Sequence, residues 1–395
     1  MDGPPLPAGP PPSGGGAERS ADTAVSSADA DAARRARWAH TRERMADLGV
    51  DALLLSLGAD LPWLTGYTAM PLERLTCLVL PVDGEATLVV PRLEEPRVAP
   101  RPELFAIAPW DETDDPVAAV ADLVGGARAL GVSDRMWATS MLGLQAHLPD
   151  ARWQVASLVT GPLRAVKDAA EVAALRRAAA AADRVATALA GGDIALVGRR
   201  EADVSHELGE RLVAEGHDRV NFAIVGSGPN SASPHHEPGP RVIGTGESVV
   251  CDFGGTLDGY CSDITRTAFT GEPPPEFRDL YTVLAAAQAE AVDAAVVGTP
   301  CEDVDGVARR IIADAGYGPY FVHRTGHGIG LEEHEDPYLV GGNCQRLEPG
   351  HAFSVEPGIY LPGRWGARLE DIVVATTAGP DALNRADHGL AVVDG

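Results

Sequence analysis

Val249-Val250-Cys251-Asp252-Phe253-Gly254-Gly255 sets a carboxylate inside an apolar, β-like run, and Gly259-Tyr260-Cys261-Ser262-Asp263-Ile264-Thr265-Arg266-Thr267 sets another eleven residues further on. An ionised side chain in an apolar strand is costly to bury unless its charge is compensated. The Leu257-Asp258-Gly259 turn between the two runs predicts a hairpin that brings Asp252 beside Asp263. Unpaired, the two would repel until one of them took up a proton. A metal ion removes that conflict. Taken alone, the segment reads equally well as two aspartates at strand ends beside a turn.

Four further segments tip that balance. His323-Arg324-Thr325-Gly326-His327-Gly328-Ile329-Gly330-Leu331-Glu332-Glu333-His334-Glu335 packs three histidines among glycines. Glycine lets the backbone run close to a site, and imidazole supplies a neutral nitrogen ligand or a proton carrier. Any one of these histidines alone is better read as an ordinary hydrogen-bonded residue; the three together favour a site. Phe353-Ser354-Val355-Glu356-Pro357-Gly358-Ile359-Tyr360 ends a strand on a glutamate, and Arg368-Leu369-Glu370-Asp371-Ile372-Val373-Val374 begins one near a glutamate. Gly226-Ser227-Gly228-Pro229-Asn230 through Pro234-His235-His236 adds two histidines in a turn-rich loop. Four ionised carboxylates are neutralised by two divalent cations. An oxygen-rich set with one imidazole suits Mn²⁺, Co²⁺, Fe²⁺ or Zn²⁺. Two such ions ~3.5–4 Å apart can activate water and polarise a carbonyl together, which is machinery for hydrolysis.

Outside these motifs the chain is ordinary. Its 395 residues, 45% hydrophobic and 23% charged, predict a globular protein of two domains or one large one. A net charge of −25 argues against nucleic-acid or anionic-membrane partners. No apolar run approaches the ~20 residues that span a bilayer. Met1–Gly16 has neither the basic nor the apolar part of a secretory signal. Five scattered cysteines form no CxxC pair, so they are read as small thiols in a reducing cytoplasm, the expected location. Residues 1–30 are expected to be a disordered Pro/Gly-rich tail. An α/β domain is expected over 31–162. Its parts are a helix from Asp31 stopping at Gly49, β-runs at Asp51–Leu57, Thr76–Val82 and Ala86–Val90, and a helix Asp115–Leu130 stopping at Gly131. In 163–395, helices are expected at Asp168–Leu189, Glu201–Glu215, Pro275–Val297 and Val304–Ala315. Short strands are expected in 220–270 and 345–375.

The chain resembles the pita-bread, or creatinase/methionine-aminopeptidase, superfamily of metallopeptidases (family M24). Within it, the Xaa-Pro branch of prolidases and aminopeptidase P is the nearest likeness. The motifs above occur in the family's order, the Gly259–Thr267 form favours the Xaa-Pro branch, and Trp63-Leu64-Thr65-Gly66-Tyr67 matches a recurrent stretch of the N-terminal creatinase-like domain. The resemblance implies an α/β (α+β) fold, a smaller creatinase-like α/β domain followed by a pita-bread catalytic domain. It implies that Asp252 ligates one metal, that Asp263 and Glu370 bridge two, and that His327 and Glu356 complete the second. The two divalent ions are expected to be Mn²⁺, with Co²⁺, Zn²⁺ or Fe²⁺ as alternatives. His235 and His334 would flank the substrate and stabilise the tetrahedral intermediate, with His235 preferred over the adjacent His236. His323 would contact the substrate or its leaving side, and Arg368 would orient Glu370 or meet a substrate carboxylate. Glu356 would carry the proton to the leaving proline nitrogen. The implied reaction is attack by a metal-bridged hydroxide on a peptide with proline at its second position. The implied assembly is a homodimer, with no nucleic-acid or membrane partner. The alternatives are a same-fold hydrolase of a non-proline amide or small metabolite, a non-cleaving peptide binder, and a metal-free amidinohydrolase. The intact ligand positions weigh against the last two.

Overall fold

The computed structural model describes residues 27–393, with side chains from residue 32 onward. The tail expected over 1–30 lies outside the described residues up to residue 26. Helix α1 (Ser27–Leu48) already begins at Ser27, because the Ala-rich run after it is strongly helix-forming. It stops at Gly49, which takes the left-handed φ of 63° that the turn requires.

The N-terminal unit has three layers. Strands β1 (Ala52–Leu55), β2 (Cys77–Pro81), β3 (Ala86–Pro91), β4 (Phe105–Trp110), β5 (Ala129–Val132) and β6 (Arg152–Val155) form one mixed sheet in the order 4-3-2-1-5-6. Alternation along β1 sends Leu53 and Leu55 to one face, against Trp38, Met45, Trp63 and Phe105. Leu54 faces the other way, against Val79, Val120 and Leu144. Helices α2 (Asp60–Thr65), α3 (Pro116–Val124), α4 (Ala138–His147) and α5 (Ser157–Ala165) complete the layers, with α1, α2 and α5 on the Leu53 face. The expected β2–β3 hairpin forms over Asp83-Gly84. The helix expected over Asp115–Leu130 does not run that far. Asp115 caps α3, but the helix ends before Gly125-Gly126, and residues 129–132 are strand β5. Gly131 is no helix stop. It pairs with Leu53, whose side chain leans across it so closely that a Cβ there would lie 2.5 Å from Leu53 Cδ2.

The C-terminal unit opens with α6 (Ala169–Ala190), started by an Asp168–Glu171 capping box, and α7 (Glu201–Ala214). Strands β7 (Arg219–Ser227), β8 (Ser248–Leu257), β9 (Tyr260–Cys261) and β10 (Ile264–Thr270) follow, then α8 (Pro275–Ala294) and α9 (Cys301–Asp314). The rest is β11 (Gly326–Gly328), β12 (Glu335–Leu339), β13 (Ala352–Val355), β14 (Gly358–Leu361), β15 (Trp365–Arg368), β16 (Asp371–Thr376), β17 (Gly379–Ala382) and β18 (Ala391–Val393). One sheet runs 18-10-8-7 with β9 beside β8, a second runs 12-11-13-16-17, and β14–β15 is a separate ribbon. Helices α6 and α7 bury Val185, Leu189, Leu208 and Leu212 against the first sheet. Helices α8 and α9 bury Leu280, Leu284, Val304 and Ile312 against the second. All five cysteines are free, and all but Cys344 are buried. Among the described residues no helix is long and apolar enough to cross a membrane.

Ion pairs tie the two units together. Arg164, at the end of α5, donates to Asp60 (3.0 Å), Glu332 (2.7 Å) and Glu335, and Lys167 donates to Glu335 (2.5 Å). Arg37 of α1 reaches Asp168 at 2.8 Å. Burial alone would raise the Glu335 pKa, but Lys167 and Arg164 outweigh it and hold the carboxyl below its ordinary value of 4.5. Glu335→Gln strands the buried Lys167 and takes one of three carboxylates from Arg164, so it should cost about 3 kcal/mol of unfolding free energy near neutral pH. A carboxyl with a depressed folded pKa contributes stability above its unfolded pKa and loses it as pH falls through the folded value. Urea unfolding across pH should therefore show a flatter acid limb for Glu335→Gln than for the wild type.

Candidate metal centre

The β8–β10 pair sets the first two carboxylates. Asp252 lies opposite Thr265 and Phe253 opposite Ile264. The two-residue turn joining β8 to β9 has left-handed φ values at Asp258 (51°) and Gly259 (84°), the type I′ geometry that suits a tight hairpin. Asp263 therefore falls one residue before β10, next to Asp252. The second sheet supplies the rest: His327 from the middle of β11, Glu356 just past β13, and Glu370 between β15 and β16. The glycines around His327 are required by close approach. A Cβ at Gly326 would lie 1.9 Å from the Ser354 carbonyl oxygen, and one at Gly328 2.1 Å from that of Asp336.

Ligand atoms of Asp263, His327 and Glu370 all lie within 4.8 Å of one another. His327 Nε2 is 3.3 Å from Glu356 Oε1 and 3.7 Å from Asp263 Oδ2. The other ring nitrogen, Nδ1, lies 3.1 Å from the Gly328 carbonyl oxygen, so it carries the proton and leaves the Nε2 lone pair facing carboxylate oxygens. Burial, and then the neighbouring His334, push His327 down to about 3, which keeps it neutral. Burial and then Glu370 push the Asp263 carboxyl well up, and burial and then Glu356 do the same to Glu370. Burial raises Glu356 to about 7. Asp252 accepts a hydrogen bond from Arg368 on Oδ2, while its Oδ1 is buried without a partner. Lone pairs thus face lone pairs throughout. The donor set is short of positive charge, and divalent cations fit that shortfall in sign and ligand chemistry.

Asp252, Asp263, His327, Glu356, Glu370, His235, His323, His334 and Arg368 line one cavity of about 430 Å³, together with Phe222, Ile224, Pro234, Arg324 and Glu333. The rings of His327 and His334 are 4.0 Å apart. Arg368 does not bond Glu370 directly. It pairs with Asp252 and donates to Thr265 Oγ1 (3.0 Å), which in turn donates to Glu370 Oε2 (2.7 Å). Both ring nitrogens of His323 are spent within the protein: Nδ1 on the Arg324 carbonyl (2.7 Å) and Nε2 on the Tyr360 hydroxyl (2.8 Å). Burial, then Arg368, lower its pKa to about 4. The adjacent histidines separate cleanly, for His235 lines the cavity whereas His236 turns back to Glu201 at 2.8 Å.

Sequence reading assigned no role to Arg324, Tyr360, Thr265, Phe222 or Ile224. Phe222 and Ile224 carry the one usable signal, an i, i+2 pair on β7 that shares a face. Arg324 makes no salt bridge among the described residues; its guanidinium sits 4.4 Å over the Tyr338 ring.

Residues 173–377 match Metallopeptidase family M24, and residues 37–166 match the Creatinase/Prolidase N-terminal domain. A probable dipeptidase PepE of Mycobacterium tuberculosis (strain ATCC 25618 / H37Rv) is 46% identical over 353 residues, 88% of this chain and 93% of its own length. Dipeptidase PepE from Mycobacterium ulcerans has a similar crystal structure, with a TM-score of 0.86 at 45% identity, covering 92% of this chain and 99% of that one. A recombinant prolidase from Thermococcus sibiricus gives a TM-score of 0.86 at 34% identity, covering 91% and 99%. The chain belongs to metallopeptidase family M24 and carries that family's creatinase/prolidase-type N-terminal domain.

Proposed function

We propose that the protein is an Xaa-Pro dipeptidase working with two divalent metal ions, Mn²⁺ first among them, held by Asp252, Asp263, His327, Glu356 and Glu370. The observation that carries this reading is the buried set of four carboxylates around the bare Nε2 of His327, opening into a cavity with an apolar Phe222–Ile224 wall. That wall suits a pyrrolidine ring. The likeness to proteins named as dipeptidase and prolidase points the same way. Free, mostly buried cysteines suit a reducing, cytoplasmic setting.

Two cations bound there supply Lewis acidity, which lowers the pKa of water and polarises a carbonyl. The chain's own groups do the rest. Glu356 Oε1 accepts from Ser354 Oγ (3.2 Å), which leaves Oε2 to take a proton and pass it to the proline nitrogen. That transfer matters because the amide nitrogen leaves only when protonated. His235 and His334 flank the cavity as donors to the oxygen on which negative charge develops. Arg368 fixes Asp252 and, through Thr265, Glu370. Arg324, stacked on Tyr338 with its N–H edge uncommitted, can take the free carboxylate of a dipeptide. A longer peptide presents an amide at that place.

Metal-stripped enzyme given Mn²⁺ should hydrolyse Ala-Pro at least ~10-fold faster than Ala-Pro-Ala or Ala-Ala, a difference of about 1.4 kcal/mol. Faster tripeptide cleavage would make it an aminopeptidase P type, and equal cleavage of Ala-Ala would remove the proline pocket. Arg324→Ala should lower kcat/KM for Ala-Pro roughly 10- to 100-fold while sparing Ala-prolinamide, as expected for loss of a charged hydrogen bond. Asp263→Ala should lower both bound metal and activity by more than the roughly 10–100-fold typical of outer-shell changes. With one repelling carboxylate gone, its metal-stripped form should melt no lower than the wild type's. Full metal content in that variant would dismiss the proposed ligand set.

A further inference from the structure

His235 stands on an irregular segment, Ser227–His236, that leaves β7 and contains only a short 3-10 turn at Gly228–Ala232. Such a loop has no sheet ladder to hold it, so its geometry depends on where its polar groups go. They converge on one carboxylate. Glu201, the first residue of α7, is wholly buried. Its Oε1 accepts from Ser227 N (2.8 Å), Ser227 Oγ (2.7 Å) and Asn230 Nδ2 (3.1 Å). Its Oε2 accepts from Asn230 Nδ2 (3.1 Å) and faces His236 Nε2 at 2.8 Å. Burial alone would raise its pKa, yet the bonds from Ser227 and His236 outweigh that and hold the carboxyl below its ordinary value. On the other side of His235, the Pro234 carbonyl accepts from Arg368 Nη1 at 3.1 Å. Residues 234 and 236 are thus each anchored. The ring of His235, between them, has no hydrogen-bond partner among the described residues and lines the cavity.

We infer that Glu201 is a positioning residue for catalysis: through Ser227, Asn230 and His236 it fixes the loop that aims His235 at the substrate. The inference rests on the role proposed above for His235. It also gives the His235-His236 pair a division of labour, one ring for the substrate and the other as the anchor.

The test is a double-mutant cycle on Ala-Pro hydrolysis in Mn²⁺-loaded enzyme, with metal content and thermal midpoint measured for each variant. Glu201→Gln should lower kcat/KM at least ten-fold at unchanged metal content, because an amide has one acceptor oxygen and cannot accept from Ser227 on one side and from His236 on the other. In a His235→Ala background the same change should alter the rate less than two-fold, since the group it positions is already gone. Additive losses, or a Glu201→Gln enzyme at the wild-type rate, would overturn the inference. Should Glu201→Gln fail to fold, His236→Ala against His236→Gln makes the same test. Glutamine can still donate to Glu201 and should restore most of the rate that alanine loses; equal rates for the two would refute the anchor. A His235→Ala enzyme as fast as the wild type would instead refute the role of His235 itself.

Discussion

Charge compensation at the seam of two sheets is the constraint on which the rest of the C-terminal unit turns. Asp252, Asp263, Glu356 and Glu370 come from opposite sheets and line one cavity with a neutral imidazole, and all but the half-buried Glu356 are buried. Left to themselves, such groups disfavour each other's ionised forms, as the raised carboxyls of Asp263 and Glu370 display. Among the described residues the one permanent cation paired directly with these acids is Arg368, and it is spent on Asp252. Separation of the sheets is opposed by bonds between them: Thr265 Oγ1 donates to Glu370 Oε2 and Arg266 donates to the Glu370 carbonyl. Within the second sheet, Gly326 and Gly328 press β11 against Ser354 of β13 and Asp336 of β12 with no room for a side chain. The scaffold therefore holds the acids together against their own repulsion, which is the condition for a strong divalent cation site.

Around this centre the outer contacts form connected sets rather than isolated bonds. Arg368 touches Asp252, Thr265, Tyr360 and Pro234, so one buried guanidinium spans a candidate ligand, the support of a second, the partner of His323 and the loop of His235. Arg266 plays a parallel part from beneath, donating to the Glu370 carbonyl (2.6 Å) and to Asp371 (2.8 Å). Asp305 does the same for the histidine-rich loop, accepting from Thr325 N (3.0 Å) and pairing with Arg309. Each of these residues fixes part of a segment that reaches the cavity, which is how a site drawn from separated segments keeps its ligands oriented.

What could be read from the sequence follows from this physics. Asp252 was legible because a charge between valines and a phenylalanine has no cheap structural explanation. His327 was legible because only close backbone approach calls for glycine on both sides. Glu201 was not, because an acidic first-turn residue is commonplace in helices, and its partners lie 26 to 35 residues away. Thr265 and Tyr360 were silent for the same reason: their hydroxyls meet Glu370 and His323, 105 and 37 residues away in the chain. In the N-terminal unit, the segment after Gly125-Gly126 was read with the wrong period. Ala127–Leu130 fits a helix as well as a strand, and only its place between β1 and β6 decides.

The cluster joining Arg164 and Lys167 to Glu332 and Glu335 sits on the same short loop that carries His334 into the cavity. An enzyme that admitted substrate by swinging its two domains apart about residues 164–167 would have to pull two buried cations off their carboxylates in every turnover. That separation costs several kcal/mol and would slow the cycle by orders of magnitude. On that cost the standing mouth of the cavity is the cheaper route in and out, and it calls for motions smaller than a domain.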